Sequence, residues 1–575
     1  MVIKLKTMAN KKKEIKRQNV ISLFIGIAFI ILFNIISNYV FTRFDLTSEN
    51  RYTLSKPTRE MLKKLDDHVY FKVYLDGEMP AGFKKLSKAT KELLDEFRAY
   101  NNLVEYTFID PSLDEDKKDL YKILMQKGLK PTTVQTQKSG SSSQQVVFAG
   151  AIVTYKNRDI VVDLLNNQIG VASENVINNS IEALEYGFAS SIKKLSVITK
   201  QRIAVINGIK GLRDLELQSA INDLSEFYAI GRISLDEQLR ALENYDALIV
   251  AKPDSAFTEK DKFIIDQFVM RGGKVLWLLD GIKMEMDSLR FNNDAMALIQ
   301  DNNVDDMLFK YGVKVNKNAV LDMNCLPIPF VTGQVGNQPQ ITNLPWFYFP
   351  LLSNANNHPI VNNLNLVKTE FASTIDTVSS SNVKKTILLR TSKYSKVINA
   401  PCRISLELSK KQPPEGFFNK SSLPVAVLLE GEFTSNYVNR INQDIIDSKD
   451  INFKEKSVPT KMIIVADGDV IKNQIYKKED GNYFPLPLGF DKYIKQSFGN
   501  RDFILNAVNF LCDDSGLLLS RSKNITLRMI DSNKTTKNKL AIQFANIILP
   551  ISIILIFGFF IFMQKKRKFT IKKQI

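Results

Sequence analysis

Two apolar runs, Val20 to Phe41 and Leu540 to Met563, carry no charged residue and bracket a chain whose other apolar positions are short and periodic. As helices they would measure roughly 33 and 36 Å, against a bilayer core of ~30 Å, so both are expected to span a membrane. Between them, His68 to Leu75 alternates as a half-buried strand does. Phe83, Leu86, Leu93, Leu94, Phe97 and Tyr100 then recur at helical spacing. Leu103 to Ile109 reads as a second strand, ended by Asp110 and Pro111, and a helix from Leu113 to Lys127 stops at Gly128. Strands at Thr132 to Gln137, Val146 to Tyr155 and Asp159 to Val162 follow, around a polar tip, Ser139 to Gln145. The order β-α-β-α-β-β predicts a thioredoxin-like α/β domain over residues 43–165. Where such a domain carries two reactive cysteines, this chain has Asp76 to Gly82 (DGEMPAG), so redox chemistry is not expected.

A periodic helix, Ser173 to Leu195, is expected to connect this domain to the next within residues 166–200. Arg202 to Asn207, Tyr245 to Ala251 and Lys274 to Leu279 are apolar runs suited to strands buried on both faces. Helices at Asp214 to Tyr228 and from Thr258 to Gly272 alternate with them, Thr258 and Asp261 having the spacing of a helix cap. The alternation predicts a doubly wound, Rossmann- or amidotransferase-like parallel sheet over residues 201–515. Thr386 to Leu389, Val425 to Leu429 and Met462 to Ala466 would join it, and Arg501 to Leu511 would close it. Periodicity fades within residues 316–381, where Pro, Gly, Asn and Gln accumulate, predicting a loop-rich insertion. A stalk over 516–539, with one alternating strand at Ile525 to Ile530, leads to the second apolar run.

Charge fixes the expected topology. Of a net +17, residues 1–19 carry +6 and residues 564–575 another +6, leaving +5 for the whole middle. By the positive-inside rule both tails, 1–19 and 564–575, lie in the cytoplasm of a bacterial inner membrane, with 20–41 and 540–563 as spans and the bulk periplasmic. The tails can touch anionic lipid headgroups, while so weak a central excess argues against nucleic acid as a partner. The three cysteines, Cys325, Cys402 and Cys512, form no CxxC, and His68 and His358 are the only histidines. That excludes Cys/His zinc sites, and buried thiols are expected instead.

Ligands of open parallel sheets sit beyond the carboxyl ends of strands. Candidates there for a ligand or partner site are Asn207, Gly208, Asp280, Arg390, Asp467 and Asp469, with plain turn chemistry as the alternative at each. Asp467 and Asp469 alone are too few ligands to define a cation site, so no metal and no cofactor is expected. GxxxxGK[ST] and GxSxG are both missing, and the turn after Trp277 to Leu279 offers only Asp280, so no nucleophile with its base is identifiable. In the apolar runs, Ser22, Gly26, Asn34 and Asn546 offer small or polar positions for docking against another membrane subunit, and Pro550 offers a kink.

Several strings go further: RFDLTSENRYTLS from Arg43, ENVINNSIEALEY from Glu174, WFYFPL from Trp346, HPI from His358 and FGNRDFILNAVNFLCDD from Phe498. With them the chain resembles the GldG-type gliding-motility proteins of the ABC-type transport auxiliary family. The resemblance implies a membrane-anchored periplasmic component working with a separate ATPase (GldA) and a separate permease (GldF). It brings no ligand-binding or catalytic residue. A non-enzymatic transporter subunit is thus the leading expectation. A scaffold contacting other envelope motility proteins is the alternative, and an amidotransferase-like or hydrolase-like enzyme ranks third.

Overall fold

The computed structural model describes residues 17, 20–34, 53–113, 117–138, 141–166, 168, 171–197, 199–206, 211–289, 292–336, 338–379, 382–449, 451–513, 515–522 and 538–570. The first α/β layer is a four-stranded sheet in the order Val104–Phe108, Val69–Val73, Gly150–Tyr155, Arg158–Asp163. Its first pair is parallel and the others antiparallel. Alternation in Val69–Val73 sends Val69, Phe71 and Val73 inward, onto Leu86, Leu94 and Phe97 of the Ala81–Tyr100 helix. A hairpin, Pro131–Lys138 with Ser141–Phe148, precedes the third strand. Ser141 to Gln145 is therefore paired strand, where a polar tip was expected.

The Ser173–Ser196 helix, expected as a connector, is also part of the first core and touches the sheet core through Tyr186. Leu184, Phe188 and Ile192, spaced four residues apart, bury one stripe in this first core, and the Phe188 ring meets Phe71 edge-on at 5.1 Å. Leu54 and Leu517 close the same core from the two ends of the globular part. The segment expected to begin a stalk is thus packed through its Leu517–Ser522 turn, whereas 523–537, including the predicted strand Ile525 to Ile530, lies outside the described residues.

The second layer is a ten-stranded sheet. Five strands are parallel, in the order Ala229–Ile233, Arg202–Ile206, Ala247–Ala251, Lys274–Leu278, Thr460–Val465. In chain order this is 2-1-3-4-5, which reverses direction between Arg202–Ile206 and Ala247–Ala251. Ala247–Ala251 is buried throughout and Trp277 is 0% exposed, as befits strands covered on both faces. The Asn500–Cys512 helix packs on Lys274–Leu278 and on the Asp214–Ser225 helix. Thr258 caps the Glu259–Met270 helix by accepting the Asp261 N–H at 3.1 Å, and Gly272, at φ +94°, supplies the left-handed stop.

The sheet is mixed, not purely parallel as expected: Pro424–Gly431 runs antiparallel to both Thr460–Val465 and Val383–Arg390. An apolar run buried on two faces reads alike in either direction. The predicted loop-rich insertion is instead strand-rich, dominated by a long hairpin of Cys325–Val335 with Gln338–Asn354 at the sheet edge. Prolines 327, 329, 339, 345 and 350 lie within it, and register shifts between Cys325 and Pro327 and between Val331 and Gly333 absorb part of the irregularity. Its WFYF run, Trp346 to Phe349, is buried in a third core with Phe371.

Beside the Asn500–Cys512 helix, His358 sits edge-on to Phe510 and accepts the Ile360 N–H on Nδ1 at 3.4 Å. Burial pushes its pKa down to about 4, with Lys384 and Lys461 adding to the effect. As pH falls from 6.5, the unfolded chain takes up this proton before the folded one, so stability is lost progressively down to about pH 4. His358→Gln is expected to flatten that part of the stability profile, measured by urea unfolding at stepped pH. An unchanged slope would remove His358 from the account.

Among the described residues one helix, Lys539–Gln564 within Lys539–Thr570, is long and apolar enough to cross a membrane, with Pro550 inside it. The apolar Val20–Asn34 helix rises only roughly 22 Å. Residues 35–41, needed for the expected first span, fall outside the described part, as do residues 1–16, 18–19 and 571–575 of the basic tails.

Candidate functional site

Three neighbouring parallel strands end in charged residues that converge. Lys252 follows Ala247–Ala251, Asp280 follows Lys274–Leu278, and Asp467 to Asp469 follow Thr460–Val465. The Lys252 Nζ lies 2.5 Å from Asp469 Oδ2 and 3.3 Å from Asp280 Oδ2. Its backbone is left-handed, at φ +47°, a conformation a lysine adopts only when its surroundings hold it there. Gly468 packs so closely that a Cβ there would come within 2.5 Å of the Lys252 Cβ, so glycine is what lets the ammonium reach its partners.

The turn after Thr460–Val465 is built from the same carboxylates. Asp467 Oδ1 accepts the Asp469 N–H at 2.7 Å, and its Oδ2 accepts the Glu370 N–H at 2.7 Å. Asp280 Oδ1 accepts the Gly468 N–H at 2.6 Å. From Asp469 the charges continue outward: Lys472 Nζ stands 3.0 Å from Asp469 Oδ1 and 3.6 Å from Glu370. Lys368 stands 3.8 Å from Glu370 and 3.3 Å from Asp491. The result is a buried lattice of alternating sign across the carboxyl ends of the strands.

The electrostatics follow from that alternation. Burial alone would raise the Asp469 pKa, but Lys252 and then Lys472 outweigh it and hold it at about 2. Asp467 goes the other way, pushed well up by burial, by Asp469 and by Asp280. Asp280 is also raised, mainly by burial, with Lys252 opposing. Burial works against the charge on Lys252, yet Asp280 and Asp469 keep its pKa well above the ordinary value.

Oxygens of Asp280, Asp467 and Asp469 lie within 4.8 Å of one another, a spacing a metal ion can use. The donor set does not fit one: a lysine ammonium already lies against two of the three carboxylates, and the third accepts two backbone N–H groups. The lattice ties strand ends together and offers no exposed nucleophile. Burial raises the thiols of Cys325, to about 12, and of Cys402, and none of the three cysteines is in a disulfide.

The structure thus joins Asp280, Asp467 and Asp469, and leaves Arg390 apart. Arg390 is exposed at the end of its strand, two strands across the sheet from Thr460–Val465. Asn207 and Gly208 lie outside the described residues. In the apolar helices, Ser22, Gly26 and Asn546 are exposed, and Asn34 Nδ2 donates to its own helix at Ile30 O, 3.3 Å away. Sequence reasoning missed Lys252, the centre of the lattice, although it occupies the same strand-end position as the aspartates and follows five apolar residues.

Residues 200–507 match the family described as ABC-type uncharacterized transport system, and residues 48–154 match DUF7088, a domain of unknown function. An uncharacterized protein of Borreliella burgdorferi is 21% identical over 580 residues, covering 97% of this chain and 100% of that one. Among solved structures, the mmIFT52 N-terminal domain aligns with 54% of this chain and 97% of its own at 13% identity and a TM-score of 0.30. A ThuA-like protein of Parabacteroides merdae aligns with 58% of this chain and 94% of its own at 10% identity and a TM-score of 0.22. The transport-system match covers more than half of the chain, including all five parallel strands and the whole lysine–aspartate lattice, and the chain accordingly belongs to the auxiliary family of ABC-type uncharacterized transport systems.

Proposed function

We propose that the protein is a non-enzymatic, membrane-anchored external subunit of an ABC-type transporter whose ATPase and permease are separate chains, GldA- and GldF-like, serving gliding motility. The family match over residues 200–507 carries the transport reading. The missing phosphate loop supports a separate ATPase, and a strand-end lattice whose lysines are already committed to its own carboxylates supports a non-enzymatic role. The apolar Lys539–Gln564 helix and the basic residues after it support anchoring with a cytoplasmic C-terminus. The motility reading rests on the GldG-like strings. Extraction in mild detergent and affinity capture of the full chain is expected to recover a permease and an ATPase together. Recovery of the chain alone under those conditions would refute the proposal.

A scaffold reading is favoured by one further observation. Met296, Leu298 and Ile299 on one strand, and Val331 and Ile341 on the edge hairpin, are each at least 50% exposed, which is costly for large apolar side chains unless other proteins cover them. Cross-linking in cells separates the two readings: contacts confined to the permease exclude the scaffold.

A further inference from the structure

A cleft of about 1400 Å³ opens between the first core and the central sheet domain. One wall is a stripe of the Ser173–Ser196 helix and its end: Tyr186, Ser190, Lys193, Lys194 and Val197 recur at helical spacing and all face the cleft. The lining as a whole holds seven lysine and arginine side chains against four carboxylates.

Most of those cations are occupied. Lys127 and Lys130 pair with Asp159 and Asp163, Lys193 lies 2.5 Å from Asp513, and Arg501 lies 2.8 Å from Asp223. Lys200 donates to Ser225 O at 2.6 Å, and Arg158 donates to Leu195 O. Lys194 is the exception: among the described residues it makes no hydrogen bond or ion pair, and its ammonium stands 3.8 Å from the centre of the Phe227 ring. On the same wall Tyr186 receives a hydrogen bond from Asn509 at 3.4 Å, which leaves its own hydroxyl proton without an acceptor among the described residues. Tyr228, whose hydroxyl donates to Asn509 at 2.7 Å, supplies a further aromatic surface.

We propose that this cleft binds a small organic oxyanion, a phosphate ester or a carboxylate, whose charged end docks on Lys194 while its body lies against Phe227, Tyr228 and Tyr186. Lys194 and Tyr186 are eight residues apart on one helix, roughly 12 Å of rise, so the donors suit an extended molecule better than a bare ion. The Lys194 ammonium is also the one an anion would help most. Burial draws its pKa down to about 8, and Glu226 offsets this only through space. An oxyanion in contact would restore the lost solvation with a charge-assisted hydrogen bond.

The test uses the full chain in detergent with two probes, glycerol 3-phosphate and succinate, titrated by calorimetry at constant ionic strength. Saturable binding of one or both is expected, and which one binds distinguishes phosphate from carboxylate. Lys194→Met is expected to weaken it roughly tenfold or more, the effect of losing one charged hydrogen bond. Lys130→Met, at a cation already paired, should leave it unchanged. Should Lys194→Met fail to fold, amine labelling of the unmodified chain with peptide mapping decides the matter: the bound probe must protect Lys194. No saturable binding of either probe, equal binding by Lys194→Met, or a Lys194 left unprotected at saturation would each overturn the proposal.

Discussion

Replacing Lys252 by methionine is expected to destabilise the central sheet domain by about 3–5 kcal/mol, the range for a buried ion pair that loses one partner. The variant keeps the methylene stem but leaves Asp280, Asp467 and Asp469 crowded within 4.8 Å. Trp277 and Trp346, the two tryptophans of the chain, both lie in this domain, so denaturant unfolding followed by their fluorescence reads the loss directly. The aspartates should then behave unequally. Asp469 has its folded pKa depressed from 3.8 to about 2, so its contribution is present above pH 3.8 and disappears as pH falls through 2. Asp467 has its folded pKa raised, so its ionisation opposes folding as pH climbs above 3.8. Asp469→Asn is therefore expected to cost about 3–5 kcal/mol at neutral pH. Asp467→Asn, which forfeits one backbone hydrogen bond but relieves repulsion, should cost on the order of 1 kcal/mol. Equal losses in these two variants, or an unaltered Lys252→Met, would refute the description of the lattice.

The second large effect is expected at Phe188. Truncation to alanine should cost about 3–5 kcal/mol, as for a large aromatic removed from a packed core, since the ring is 0% exposed and set edge-on against Phe71. The first core holds no tryptophan, so the loss should show as proteolytic cleavage or hydrogen exchange within residues 53–197, at denaturant concentrations where Trp277 and Trp346 still report a folded sheet. A cost below about 1 kcal/mol, typical of a surface position, would remove the helix from the account of the first core.

These two sites also mark where reading the sequence succeeded and where it stopped. The strands at Arg202–Ile206, Ala247–Ala251 and Lys274–Leu278 were legible because burial on both faces demands an unbroken apolar run. The opposite sense of Pro424–Gly431 was not, since direction leaves no mark on such a run. Nor was the long hairpin through Trp346, whose prolines mimic a loop but sit on an edge where missing donors are tolerated. Of the site, the aspartates could be picked out as strand-end residues. Their assembly could not: Lys252 and Asp469 are 217 positions apart and meet only because two crossovers bring their strand ends together. The Ser173–Ser196 helix was plain as a helix, but periodicity does not say which neighbour a stripe will face.

Leu517 and Leu518 are consecutive, yet the first is buried in the small core beside Leu54 and the second in the core of the large sheet. With Lys193 clasping Asp513 and Arg521 donating to Asn362 O at 3.0 Å, the two ends of the globular part, at Leu54 and Leu517, are fastened at one neck. A pull at either of these two ends is met first by those contacts, before any strand of the large sheet is loaded. Opening that neck would free both ends of the globular part at once, so its few contacts guard the small core and the large sheet together.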